Sequence, residues 1–287
     1  MTNIGKITGT LENELSFSDE VEIAGLKWSL HRGDCYFEFH CVLDYEANVL
    51  WSCTARGKLS VWGVNFGRQF LVWSNTFDYM DNEYSCSTRL ELPHTSEELD
   101  FEADIEVLKF RRIDFSSPTN EAIESPEDAA CLEVEGKKIW VSKKILSVHS
   151  PFFKAMFSGD FKEETTGIYA LKEVNLADFK HFLTVIYNLD ILKYYDYHIY
   201  LEGLLRLGNM WQCDSVLLFC QDMLNRNCLP LDVKIVLGDR YGFFPFLTIV
   251  INNADLENLK RLVKEGYLAE ISSFTHCLIH KRLLDST

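Results

Sequence analysis

The sequence predicts a multi-domain protein: an N-terminal antiparallel β-sandwich, a central α/β domain and a short C-terminal helical extension. Three observations predict it. Apolar and polar residues alternate with period two through residues 1–115. A stretch rich in serine, proline and acids, SSPTNEAIESP at 116–126, interrupts that pattern. Beyond it, apolar residues recur at helical spacing. The length of 287 residues suits two small domains better than one.

In YFEFHCVL, Phe37, Phe39, Cys41 and Leu43 share one face, and Glu38 and His40 point the other way. In FEADIEV, Phe101, Ala103, Ile105 and Val107 alternate with Glu102, Asp104 and Glu106. Such alternation marks strands with one buried and one solvated face. KLSVWGV and RQFLVWS add two more, with Gly57, Gly63, Asn65 and Gly67 as turn residues between them. The tryptophans of this half (28, 51, 62 and 73) read as core.

After the linker, CLEVEGKKIWV reads as two short strands about a Glu135-Gly136 turn. Ser142 caps a helix carrying Ile145, Leu146 and His149, and Ser150-Pro151 caps the next, because proline suits a first helical position. That helix presents Phe152, Phe153, Met156 and Phe157. A strand, GIYALKEV, leads to Asn175, which caps an amphipathic helix with Phe179, Phe182, Leu183 and Ile186 at i, i+3, i+4 and i+7. Leu204, Leu205 and Leu207 mark another helix, and Asp214 caps SVLLFCQDML. From Pro230 onward the chain reads as helical, with Val233, Val236, Leu237 and Tyr241, then Leu256, Leu259, Leu262 and Val263. The expected boundaries are 1–115 for the sandwich, 116–127 for the linker, 128–224 for the α/β domain and 225–287 for the extension.

Charge and composition exclude several functions. The net charge of −15 argues against nucleic acid and against anionic lipid, both of which need a concentrated basic surface. No apolar run reaches membrane-spanning length, and MTNIGKITGT lacks a signal-peptide core. Nine scattered cysteines then read as reduced thiols, and the expected compartment is cytosolic or nuclear.

The run from Asp128 to Glu163, DAACLEVEGKKIWVSKKILSVHSPFFKAMFSGDFKE, closely resembles the opening of a BTB/POZ domain. Asp128, Gly136, Leu146, Ser150, Phe153 and Phe157 fill that family's pattern, and LKEVNLADFKHFLTVIYNLDI resembles its later strand and helix, with Tyr187 in the tyrosine-containing turn. Ser142 stands where many members carry histidine. Residues 1–113 resemble a MATH (TRAF-like) domain through GLKWSL, FHCVL and FEADIEVLKF. They depart from it at FDYMDNEY, 77–84, where that family is rich in glycine and tryptophan.

The combined resemblance is to MATH–BTB cullin adaptors, and it implies three interfaces. A hydrophobic-x-Glu motif, here Phe161-Lys162-Glu163, docks a cullin-3 type scaffold, with Tyr187 nearby. One aromatic anchor beside an orienting carboxylate suits such a pocket. Two-fold pairing of the BTB domain gives a homodimer, with Asp128, Ile145 and Leu146 near the interface. The sandwich holds an unknown substrate protein as an extended peptide, with Tyr79 and Tyr84 nearest the expected place. The implied function is a non-catalytic, homodimeric substrate-recognition subunit of a cullin-3 type ubiquitin ligase. The alternative is a dimeric scaffold, for transcriptional or cytoskeletal assembly, with no ubiquitin coupling.

The motifs of chemistry are missing from the sequence: there is no Gly-x-Ser-x-Gly, phosphate loop, HExxH or Cys-x-x-Cys, and no cofactor or metal is expected. His276 and His280, at i and i+4, read as a half-buried pair lacking a further ligand. His31 and His40 read as surface or satisfied sheet histidines, and Cys213 and Cys220 as small core residues.

Overall fold

A computed structural model describes residues 3–12, 16–43, 48–79, 89–91, 93, 95–158, 167–189, 198–226, 229–266, 268 and 270–285. Its contacts group the chain into two units, Met1–Glu133 with Lys137–Ser142 and Asn188–Leu192, and the remainder.

The first unit is built on two antiparallel sheets. One runs β1 (Ile4–Leu11), β9 (Leu99–Asp114), β6 (Val49–Gly63) and β7 (Gly67–Asp78) in spatial order. The other runs β2 (Ser16–Phe17), β4 (Leu26–Arg32), β5 (Tyr36–Val42) and β8 (Arg89–Glu91), with β3 (Val21–Ile23) also paired to β4. The period-two pattern decides which faces meet. Phe101, Ala103, Ile105 and Val107 of β9 pack in one core with Trp28 and Leu30 of β4 and Phe37 and Phe39 of β5. Each large side chain of this core contributes about 1.5–3 kcal/mol by leaving water. Trp28, Trp51 and Trp73 are core residues, whereas Trp62 is half-buried under the Arg68 guanidinium, 4.6 Å from its ring centroid.

Two expectations change here. Gly57 is not a turn residue: it lies inside β6 opposite Ile105, just past a β-bulge at Thr54/Ala55. A Cβ there would sit 1.9 Å from the Asp104 carbonyl oxygen, so only glycine lets the strands approach. Glu38 faces away from the sandwich core as expected, yet it is buried rather than solvated.

Past β9 the linker stretch is pinned. Phe115 is buried, and its carbonyl accepts from the Trp140 N–H at 2.8 Å. Asn120 is also buried, and its amide donates to the Ser117 and Trp140 carbonyls, each at 3.0 Å. Trp140 lies on β11 (Lys137–Ser142), which follows β10 (Ala129–Val134) through a turn with positive φ at Glu135 (49°) and Gly136 (74°). Positive φ at both central residues suits the right-handed twist of a hairpin.

The second unit is helical. α1 (Lys143–His149) and α2 (Pro151–Ser158) precede the short strand β12 (Ile168–Ala170), and α3 (Leu176–Ile186), α4 (His198–Met210) and α5 (Asp214–Leu224) follow. Asn175 caps α3 as expected, accepting from the Ala177 and Asp178 N–H groups. The cap of α5 is Cys213 rather than Asp214, because left-handed Gln212 (φ 52°) closes α4 one residue earlier. Asp214 takes the first helical position, where a carboxylate complements the helix dipole. α6 (Leu231–Arg240), α7 (Phe244–Asn253), α8 (Leu256–Glu265) and α9 (Ser273–Leu284) share a separate core that includes Ile235, Leu247, Ile251, Leu259, Leu262 and Ile279.

Candidate functional site

The α1–α2 step carries the residues singled out for partner binding. Ser150 is buried, and its Oγ donates to the Trp211 carbonyl at 2.6 Å while accepting from the Phe153 N–H at 3.3 Å. Pro151 occupies the first helical position, where its missing N–H costs nothing. This cap ties the start of α2 to the end of α4. Around it, Phe153 lies 5.9 Å from Phe157, 6.2 Å from Phe182 and 5.0 Å from Trp211, and Phe179 lies 5.8 Å from Trp211. Offset and edge contacts between aromatic rings at these spacings hold α2 against α3.

α2 ends at Ser158. The motif residues Phe161, Lys162 and Glu163 come next and lie outside the described residues, as does Tyr84. Tyr187 is only 5% exposed and ends α3, its N–H donating to the Leu183 carbonyl at 2.8 Å. Leu146 is wholly buried within its own chain, so its side chain offers no outward surface. Ile145 is half-buried on the same helix. One turn along, Val148 is 77% exposed. Val148 was not among the residues expected at an interface, although its i+3 spacing from Ile145 signals a shared apolar face. Asp128 is half-buried in a single 3-10 turn, Pro126–Asp128. Tyr79 is half-buried against the sandwich core, and its N–H donates to the Trp51 carbonyl at 3.2 Å.

Cys213 and Cys220 are buried, and burial pushes the Cys220 thiol well above the usual thiol range, which disfavours a thiolate nucleophile. His276 and His280 are exposed on α9 rather than half-buried. His31 and His40, by contrast, meet around Glu38 on the second sheet. His149 Nδ1 lies 3.1 Å from Ser215 Oγ, and Cys213 Sγ lies 3.4 Å from the same oxygen. Among the described residues, no helix is long and apolar enough to cross a membrane.

Residues 127–228 match the model of the BTB/POZ domain family. The chain is 25% identical over 235 residues to BTB and MATH domain-containing protein 38 of Caenorhabditis elegans, covering 75% of this chain and 56% of that protein. It is 23% identical over 233 residues to BTB and MATH domain-containing protein 15 of the same organism, covering 74% of this chain and 79% of that one. The match thus spans little more than half the length of the first relative. A sandwich of two antiparallel sheets ahead of the BTB match completes the arrangement. The chain thus has the arrangement of MATH–BTB proteins. BTB domains are protein–protein interaction and dimerisation modules.

Proposed function

We propose that this MATH–BTB protein is a homodimeric adaptor of a cullin-3 type ubiquitin ligase, with the sandwich capturing the substrate and the BTB domain docking the scaffold. The observation that carries the reading is the BTB match over 127–228, which includes Phe161-Lys162-Glu163 just past the end of α2. One large apolar side chain beside an orienting carboxylate is the kind of anchor that a partner's pocket takes. Tyr187, being buried, supports that surface by holding the end of α3 and makes no contact of its own with the scaffold. Dimerisation through the face carrying Ile145, with Val148 beside it, presents two sandwiches per particle and raises the effective concentration for a bivalent substrate. Ubiquitin transfer then takes place on another protein, and this chain contributes positioning.

The test is capture of a cullin-3 scaffold by the full chain and by the double variant Phe161→Ala plus Glu163→Ala. The variant is expected to lose at least about tenfold in affinity, the cost typical of losing one aromatic hot spot. Unchanged capture overturns the docking assignment. Sedimentation of a monomer at micromolar concentration overturns the dimer.

A further inference from the structure

The solvent-side face of the second sheet of the sandwich holds a cluster that adaptor function leaves unused. Three strands assemble it. Glu38 and His40 stand two apart on β5 and share a face, and His31 on β4 is the cross-strand neighbour of Glu38. Phe17 of β2 pairs with His31 in register and stacks on its ring, with centroids 4.4 Å apart and planes at 28°. The same phenyl ring lies 5.3 Å from the ring of His40. This roof makes an outward-facing sheet position dry: Glu38 is 2% exposed and His31 is 8% exposed.

Two imidazole nitrogens converge on one carboxylate oxygen. His31 Nδ1 is 3.5 Å and His40 Nε2 is 3.9 Å from Glu38 Oε2. Both nitrogens are buried, and neither makes a hydrogen bond. Hydrogen bonds to a carboxylate run about 2.7–3.2 Å, so these separations are too long. The His31 separation agrees instead with the edge of a coordination tetrahedron, about 3.4 Å for ligands about 2.0–2.1 Å from a central ion, and the His40 separation exceeds that edge by about 0.5 Å.

We propose that His31 Nδ1, Glu38 Oε2 and His40 Nε2 form a binding site for a divalent transition-metal ion of the zinc class, with water in the fourth position. All three ligand atoms lie within 4.8 Å of one another. The widest separation allowed by that limit closes to a tetrahedral edge through a shift of roughly 1.4 Å, within reach of a ring rotation at the half-exposed His40. A set of two imidazoles and one carboxylate selects zinc-like ions over calcium or magnesium, which prefer oxygen. The ion would clip β4 to β5 on the sheet face opposite the hydrophobic core.

The test uses the full chain, stripped with chelator and titrated with Zn2+ by calorimetry and with Co2+ by visible absorption. Wild type is expected to take up one ion per chain at micromolar concentration, with tetrahedral Co2+ bands and no thiolate charge-transfer band. His40→Ala, whose half-exposed site leaves the fold intact by circular dichroism, and Glu38→Gln are each expected to weaken binding at least about tenfold. No uptake by wild type, uptake unchanged in His40→Ala, or a thiolate band placing the ion on the cysteines would each overturn the site.

Discussion

Replacing Ser150 by alanine tests whether one buried hydroxyl holds the BTB scaffold together. The substitution deletes the donor to the Trp211 carbonyl at 2.6 Å and the acceptor for the Phe153 N–H at 3.3 Å. Loss of a helix cap costs about 1 kcal/mol. Stranding a buried carbonyl costs about 1–3 kcal/mol more. The long Phe153 contact puts the sum near the lower end, about 2–3 kcal/mol, because the Lys154 N–H keeps its bond to the Ser150 backbone carbonyl. Denaturant melting of a two-domain chain is not two-state, so the readout is native-state hydrogen exchange by mass spectrometry. Peptides covering α2 and the end of α4 should exchange about 30–160-fold faster in Ser150→Ala, and those of the sandwich should not change. Ser158→Ala, which removes only an exposed 3.4 Å contact to the Ala155 carbonyl, is the control. If Ser150→Ala matched that control in α2 and α4, the cap would not be what couples these helices.

Two further outcomes are expected. The buried Arg32 guanidinium donates to the carbonyls of Leu11 at 3.0 Å, Glu97 at 2.8 Å and Thr95 at 2.7 Å, and a lysine cannot reproduce that fork. Arg32→Lys should therefore destabilise the sandwich by about 2–4 kcal/mol, and a calorimetric scan showing no loss in its melting temperature would refute this. Burial, with the nearby Lys180 charge adding to it, lowers the pKa of His181 to about 4. The unfolded chain binds that proton near pH 6.5, so stability is greatest above pH 6.5 and falls as pH drops toward 4. Between pH 7 and pH 5 the loss is about 2 kcal/mol, and His181→Gln should remove that share of the pH dependence of hydrogen exchange in α3. An equal pH dependence in the variant would refute it.

Residues whose roles are set by near neighbours are legible in the sequence. The Glu135-Gly136 turn, the Asn175 cap and the Ser150-Pro151 step depend on a few adjacent backbone groups, and each falls where local chemistry puts it. The buried face of β9 follows from period-two alternation alone. Local patterns mislead where a distant segment intrudes. Gly57 has the signature of a turn residue, but the Asp104 carbonyl presses against it from β9. A neighbouring backbone can mislead too: beside left-handed Gln212 the cap of α5 falls on Cys213, one residue before Asp214. α7 has no distinct signature, since its apolar residues run nearly around the helix and give weak periodicity.

The candidate sites divide the same way. Sequence alone determined the order of domains, the capped helix before Phe161 and the exclusion of familiar catalytic motifs, because each is a property of contiguous residues. Only tertiary structure decided that Leu146 and Tyr187 are inward, that Val148 is outward, and that His31 and His40 meet at Glu38. Alternation reports the two faces of a strand but not what covers them. Phe17, contributed by a strand paired to β4, converts a wet face into a dry one, and that depends on strand pairing rather than on any local pattern.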